Sequence, residues 1–217
     1  MEKRRIFDKL VQEKFIPLIR SDSKEEALKI AEAIKEGGAS FLEVTMTVPG
    51  AFEVIRELSK TFGDSIIVGA GTVLDVETAR LSLAAGARFI VTPTVNIDVI
   101  ELGHRYSVIT IIGAMTLTEI LQCWNAGADL VKIFPASLLG GPNYIRAIKG
   151  PLPQVDLVPS GGISVDLAPA YIEAGATAVA VGSEITKTDP MDKKRFDTIK
   201  DRTSVFLRLL KGAKSAL

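Results

Sequence analysis

A chain of 217 residues, 47% of them hydrophobic, is long enough to bury one sizeable core. Lys+Arg and Asp+Glu both number 26, and this balance excludes the electrostatic footprint expected for nucleic acid or an anionic membrane. One cysteine, Cys123, excludes an internal disulfide, and one cysteine with one histidine argues against a His/Cys metal centre.

The first segment, residues 3 to 14, is basic and amphipathic and lacks the apolar centre of a signal peptide. It reads as an extra helix closing the bottom of whatever follows. No apolar run approaches the roughly 18 residues of a membrane span. The expectation is a cytoplasmic protein with one domain over 1–217.

Next come runs of strand type alternating with helical patterns. "IPLIR" (16–20) precedes "KEEALKIAEAIKE", and then "GGASFLEVT" begins at Gly37. "SIIVGAG" (65–71) precedes "DVETARLSLA", and "AGARFIVT" follows. "SVITIIG" (107–113) precedes "LTEILQCWN", which runs into "AGADLVKIF". "VDLVPS" (155–160), "DLAPAYIE" and "AGATAVAVG" complete the series, before a final amphipathic helix within residues 187 to 217. Four of these segments share a Gly-Ala-x opening, with glycines at 38, 86, 127 and 175. The pattern predicts a helix ended by a left-handed glycine, a short loop, then a strand. Asp and Ser fall where N-caps belong, as in "SDSKEEA" and "LDVETA". The strand runs are continuously apolar, as in a parallel sheet covered by helices. Eight strands in about 165 residues, each followed by a helix, fit a (β/α)8 TIM barrel with an extra N-terminal helix. A doubly wound open sheet leaves the evenly spread repeat unexplained.

Active sites of such barrels lie at the carboxyl ends of the strands. Those ends gather Arg20, then Glu43 and Thr47, then Thr72, Pro93, Lys132, Phe134, the "PSGGI" run and Ser183. Side chains alternate along a strand, so Lys132 and Phe134 share one face, and Glu43 and Thr47 share another. If both sets point inward, Lys132 and Glu43 meet near the mouth. Desolvation favours the neutral form of a lysine amine, which attacks carbonyls to give a Schiff base. A nearby carboxylate can move the protons that this chemistry requires. The competing reading is an ion pair that only fills the barrel.

The backbone of Gly161, Gly162 and Ser183, with the hydroxyls of Ser160 and Ser183, offers a phosphate cradle; two tight turns are the plain alternative. Arg20 can clamp a carboxylate or simply be solvated. "GAGT" lacks the third glycine of a dinucleotide fingerprint and suits close approach of a substrate. His104 is expected at the surface. Cys123 and Trp124 are expected to pack.

"LEVTMTVPGA", "VGAGTV", "VKIFPA", "VPSGGI" and "AVGSEI", in this order and spacing, resemble the 2-keto-3-deoxy-6-phosphogluconate aldolase family, which includes 4-hydroxy-2-oxoglutarate aldolases. The resemblance runs from about Ile16 to Lys187. It implies a class I aldolase of carbohydrate metabolism, commonly a homotrimer, acting on a 2-keto acid and releasing pyruvate. It makes Lys132 the Schiff-base residue and Glu43 the proton shuttle, acting through water. Thr72, Pro93 and Phe134 then line the pyruvate pocket, and Ser160, Gly161, Gly162 and Ser183 hold a distal phosphate. Thr47 stands where some members carry a carboxylate-binding arginine; other members have an arginine where this chain has Arg20, so the carboxylate falls to Arg20 and Thr72. No cofactor or metal is expected, because the iminium polarises the substrate as a Lewis acid would. The galactonate epimer and 4-hydroxy-2-oxoglutarate remain alternative substrates. A phosphosugar isomerase or epimerase and a non-catalytic barrel are the other classes; a metal-dependent epimerase would want several histidines, and this chain has one.

Overall fold

A computed structural model of the chain describes residues 2–189 and 191–213. The first half runs α1 (Glu2–Glu13), β1 (Phe15–Ile19), α2 (Lys24–Glu36), β2 (Phe41–Thr45), α3 (Ala51–Phe62), β3 (Ile67–Gly71), α4 (Val76–Ala85) and β4 (Phe89–Val91). The second runs α5 (Ile97–Tyr106), β5 (Ile109–Ala114), α6 (Leu117–Asn125), β6 (Leu130–Ile133), α7 (Pro142–Lys149), β7 (Leu157–Pro159), α8 (Ala168–Glu173), β8 (Val179–Val181), α9 (Ser183–Thr186) and α10 (Arg195–Gly212).

All eight strands are parallel, in the order β7-β6-β5-β4-β3-β2-β1-β8. The ends of that order meet through a bridge between Ser160 and Ala180 and through the Thr177 N–H, which donates to the Leu157 carbonyl at 2.9 Å. The sheet is thus a ring, the TIM barrel the repeat predicts. Counting either way around it, β2 and β6 are four strands apart, so they face each other across the centre.

Strand alternation sorts the apolar residues into two shells. Val44, Val131 and Ile133 pack outward against the helices. Ile16, Leu18, Phe41, Phe89, Ile111, Leu130 and Val158 pack inward on one another. Ile6 and Leu10 of α1 join the inner shell, so the N-terminal helix plugs the floor. Each such fully buried side chain contributes about 1.5–3 kcal/mol relative to exposure.

The helix boundaries follow their chemistry. Gly38, Gly86, Gly127 and Gly175 all take positive φ, at 94°, 113°, 84° and 103°. These are the four glycines of the repeat, and a side chain resists that conformation. Ser23 and Asp75 cap α2 and α4, accepting from the N–H groups of Glu26 at 3.2 Å and Thr78 at 2.6 Å. Thr116 and Glu119 form a reciprocal capping box on α6.

Three details depart from the sequence expectation. The helix expected over 166–173 starts only at Ala168. The four-residue α9, directly after β8, was not foreseen. Cys123 is buried as expected, but Trp124 is 42% exposed and faces outward from α6. Adjacent helix positions point about 100° apart, so one packs and the other does not.

Candidate active site

Lys132 and Glu43 are the two charged side chains deepest in the barrel, 4% and 0% exposed. Their ladder partners fix their height. Glu43 stands opposite Gly69 on β3, and Lys132 stands opposite Gly113 on β5. The glycines make room. A Cβ on Gly71 would fall inside the Glu43 carboxyl group, and one on Gly113 would collide with the backbone at Pro93 and Thr94. Gly71 gives up a side chain where Glu43 sits, and Gly113 lets the backbone after β4 approach β5 closely.

Neither oxygen of the Glu43 carboxyl group has a hydrogen-bond partner among the described residues. The pair is therefore not the direct ion pair that would merely fill the barrel. A buried carboxyl without partners is costly and needs an explanation. Burial pushes Glu43 above its ordinary value of 4.5, and the attraction of Lys132 and then of Arg20 only partly opposes the rise. Both cations thus act on Glu43 through space.

Phe134 lies beside the lysine, with the ammonium nitrogen 5.4 Å from the ring centroid. On its far side the ring packs against Gly161, where an added Cβ would come within 3.1 Å of it. Phe134 is therefore a wall shared by the lysine and the glycine-rich loop. That loop is pinned to the loop after β6: the Ala136 N–H donates to the Ser160 carbonyl at 2.7 Å and the Ser137 N–H to Gly161 at 3.1 Å.

A cavity of about 190 Å³ opens beyond Phe134, lined by Arg20, Ser160, Gly161, Gly162, Ser183 and Glu184 among others. The four residues expected to form a cradle thus share one hollow. The N–H groups of Gly162, Ser183 and Glu184 donate to no acceptor among the described residues. Arg20, exposed at the end of β1, lines this hollow; Thr72, two strands away, does not. Arg20, which the resemblance pairs with Thr72 at the carboxylate, thus enters the mouth from the cradle side. Angular position around a ring cannot be read from one strand's sequence.

The remaining candidates follow β2, β3 and β4 around the mouth. The Thr45 hydroxyl donates to the Ile19 carbonyl at 3.0 Å and shares a 2.7 Å hydrogen bond with the Thr47 hydroxyl. This chain of contacts ties exposed Thr47 to the end of β1, next to Arg20. Thr72 is held at φ 57°, a left-handed conformation that β-branched residues resist and that often marks a functional position. Pro93 follows Thr92, whose hydroxyl donates to the Thr94 carbonyl at 2.7 Å and accepts from the Gly113 N–H at 3.1 Å. Thr92 therefore staples β4 to β5, a role the sequence did not signal. Glu184, in the run that ends strand eight, also lines the cavity, though no role was read for it from the sequence. His104 is exposed as expected, though a ring nitrogen lies 2.8 Å from the Gly127 carbonyl.

The family model described as "KDPG and KHG aldolase" matches residues 6–202 of this chain. A 2-dehydro-3-deoxy-phosphogluconate aldolase from Treponema pallidum is 37% identical over 169 residues, 77% of this chain and 79% of the relative. The KHG/KDPG aldolase of Escherichia coli is 31% identical over 199 residues, covering 92% of both chains. Among solved structures, KDPG aldolase from Legionella pneumophila, with pyruvate captured as a covalent carbinolamine intermediate, superposes with a TM-score of 0.77 at 30% identity. That match covers 96% of this chain and 98% of the other.

Proposed function

The chain belongs to the KDPG and KHG aldolase family, and from that premise we propose that it is a class I aldolase cleaving 2-keto-3-deoxy-6-phosphogluconate to pyruvate and glyceraldehyde 3-phosphate. The observation that carries this reading is the buried, unpartnered Glu43 carboxyl facing buried Lys132 across the barrel.

The Lys132 amine adds to the C2 carbonyl, and loss of water leaves an iminium. Glu43, through water, takes the proton of the C4 hydroxyl. The C3–C4 bond breaks, its electron pair flows into the iminium, and the aldehyde departs. The enamine that remains is protonated at C3 from the same carboxyl group. Water then hydrolyses the iminium, releasing pyruvate and restoring the amine. A base poised between two cations, yet held high by burial, suits both directions of proton transfer.

Phe134, Pro93 and Thr72 line the pyruvate end in this reading. Arg20 and Thr72 serve the carboxylate, with Thr47 tied beside Arg20. Ser160, Gly161, Gly162 and Ser183 hold the distal phosphate, supported by their common hollow and free N–H groups. Relatives bear names that include 2-dehydro-3-deoxy-6-phosphogalactonate and KHG; the same steps serve those substrates. The reading extends to one cytoplasmic domain acting as a homotrimer. Among the described residues no helix is long and apolar enough to cross a membrane, and the outward Leu121 and Trp124, 40% and 42% exposed, suit a contact between copies.

Borohydride reduction in the presence of pyruvate, followed by mass spectrometry, tests the mechanism. A reduced pyruvyl adduct is expected on Lys132 and none in Lys132→Ala. An adduct on a different lysine, or none in the parent protein, removes the mechanism.

A further inference from the structure

The cavity at the ends of β1, β7 and β8 carries opposed charges. Arg20 is its only cation among the described lining residues, and Glu184 is its only anion. Glu184 lies in the first turn of α9, immediately after Ser183, so its side chain shares the wall with the hydroxyl and N–H groups that face the distal group. A neighbouring hollow on the outer side of α9 is lined by both Glu184 and Arg202. Arg202 is committed elsewhere, donating to the carbonyls of Ile185 at 3.4 Å and Lys187 at 2.8 Å. No hydrogen bond or ion pair among the described residues holds the Glu184 carboxylate in the outer hollow, which Lys187 also lines.

We propose that Glu184 is a specificity-determining residue, one that weakens the preference of this site for a phosphorylated over an unphosphorylated 2-keto acid. The proposal rests on reading the cavity as the distal subsite. A phosphate monoester carries about −1.5 to −2 charges near neutral pH. Free N–H groups and hydroxyls attract it whatever the ionic state of the wall. Arg20, assigned above to the substrate's carboxylate, is not free to neutralise a second anion, and Glu184 adds a repulsive charge at the rim. An uncharged or shorter distal end feels neither charge strongly. Glu184 thus narrows the gap between the two substrate classes and hastens release of a phosphorylated aldehyde. Because Glu184 is exposed, its effect is screened by salt.

The test compares the parent protein with Glu184→Gln, which keeps the shape and removes the charge. The readout is the ratio of kcat/KM for 2-keto-3-deoxy-6-phosphogluconate to that for unphosphorylated 2-keto-3-deoxygluconate, whose distal end is a neutral hydroxymethyl group. At low ionic strength the ratio is expected to rise about fivefold in the variant, the scale of one partly exposed charge contact, and to do so through KM. At high ionic strength the rise is expected to shrink. An unchanged or falling ratio overturns the proposal, as does a rise indifferent to salt. Inorganic phosphate as a competitive inhibitor separates the two layers of the argument. Tighter inhibition of the variant supports the role of Glu184. Equal inhibition of both proteins sinks that role and leaves the cradle standing. No inhibition of either removes the cradle and the proposal together, while the pyruvyl adduct on Lys132 reports independently on the aldolase chemistry.

Discussion

At the scale of single residues, Glu43 concentrates the conflict between stability and chemistry. Its carboxyl group is buried, has no hydrogen-bond partner and sits above its ordinary value because desolvation outweighs the pull of Lys132 and Arg20. Two pH dependences follow. If the carboxylate accepts the C4 proton, kcat/KM falls as pH drops through that raised value. Glu43→Gln is expected to lose this acid limb and about 10²- to 10⁴-fold in kcat, measured by coupled pyruvate release. Stability runs the other way. A raised folded value means that the folded protein holds a proton the unfolded chain has released, so a penalty develops as pH climbs from the unfolded value toward the folded one. The glutamine variant escapes it. Its Tm relative to the parent is expected to rise as pH climbs above the ordinary carboxyl value of 4.5, as followed by thermal melts. The lysine and glutamate were legible because both are anomalous in apolar strand runs. Glu184 and the position of Arg20 were not, since each depends on which strand ends meet at one side of the ring. Thr92 gave no signal because its stapling hydrogen bonds use partners two and 21 residues away.

Among the elements, α1 shows how a terminal segment supports a site it never touches. Ile6 and Leu10 enter the inner shell below Phe41 and Phe89, and Glu13 accepts from the Ser40 N–H at 2.8 Å. The floor of the barrel is thereby sealed while the mouth stays open to substrate. Leu10→Ala leaves a cavity at that floor and is expected to cost about 2–5 kcal/mol in denaturant melts. The pyruvyl adduct is expected to form as in the parent at temperatures where the variant is folded. The helix existed in the sequence as a plain amphipathic period. The bounds of α2 and α6 were equally plain, each fixed by a cap at one end and a glycine at the other. The short α8 and α9 were obscured, because six and four residues are too few to display a helical period.

On the scale of the whole molecule, the ring is not uniform. β2 and β3 pair over five registered positions, whereas β7 and β8 are joined by the Ser160–Ala180 bridge and the Thr177 hydrogen bond. The seam is expected to open most readily, since local stability follows paired and buried backbone. Amide hydrogen exchange followed by mass spectrometry should show faster uptake in segments around 157–162 and 177–183 than in 41–45 and 67–71; uniform protection around the ring contradicts this. Four repeat segments and four further apolar runs were enough to foresee a closed barrel, but not which joint would be the thinnest, because strand length at β7 and β8 depends on where their neighbours end. The thin joint also bears the residues proposed to grip the far end of the substrate. A molecule bound there clasps both sides of the join, and any ligand selective for the intact ring protects it by about 2.7 kcal/mol at a hundredfold excess over Kd. Substrate supply would then govern how long each copy of the enzyme survives as well as how fast it turns over, coupling metabolic flux to protein lifetime through a single closure.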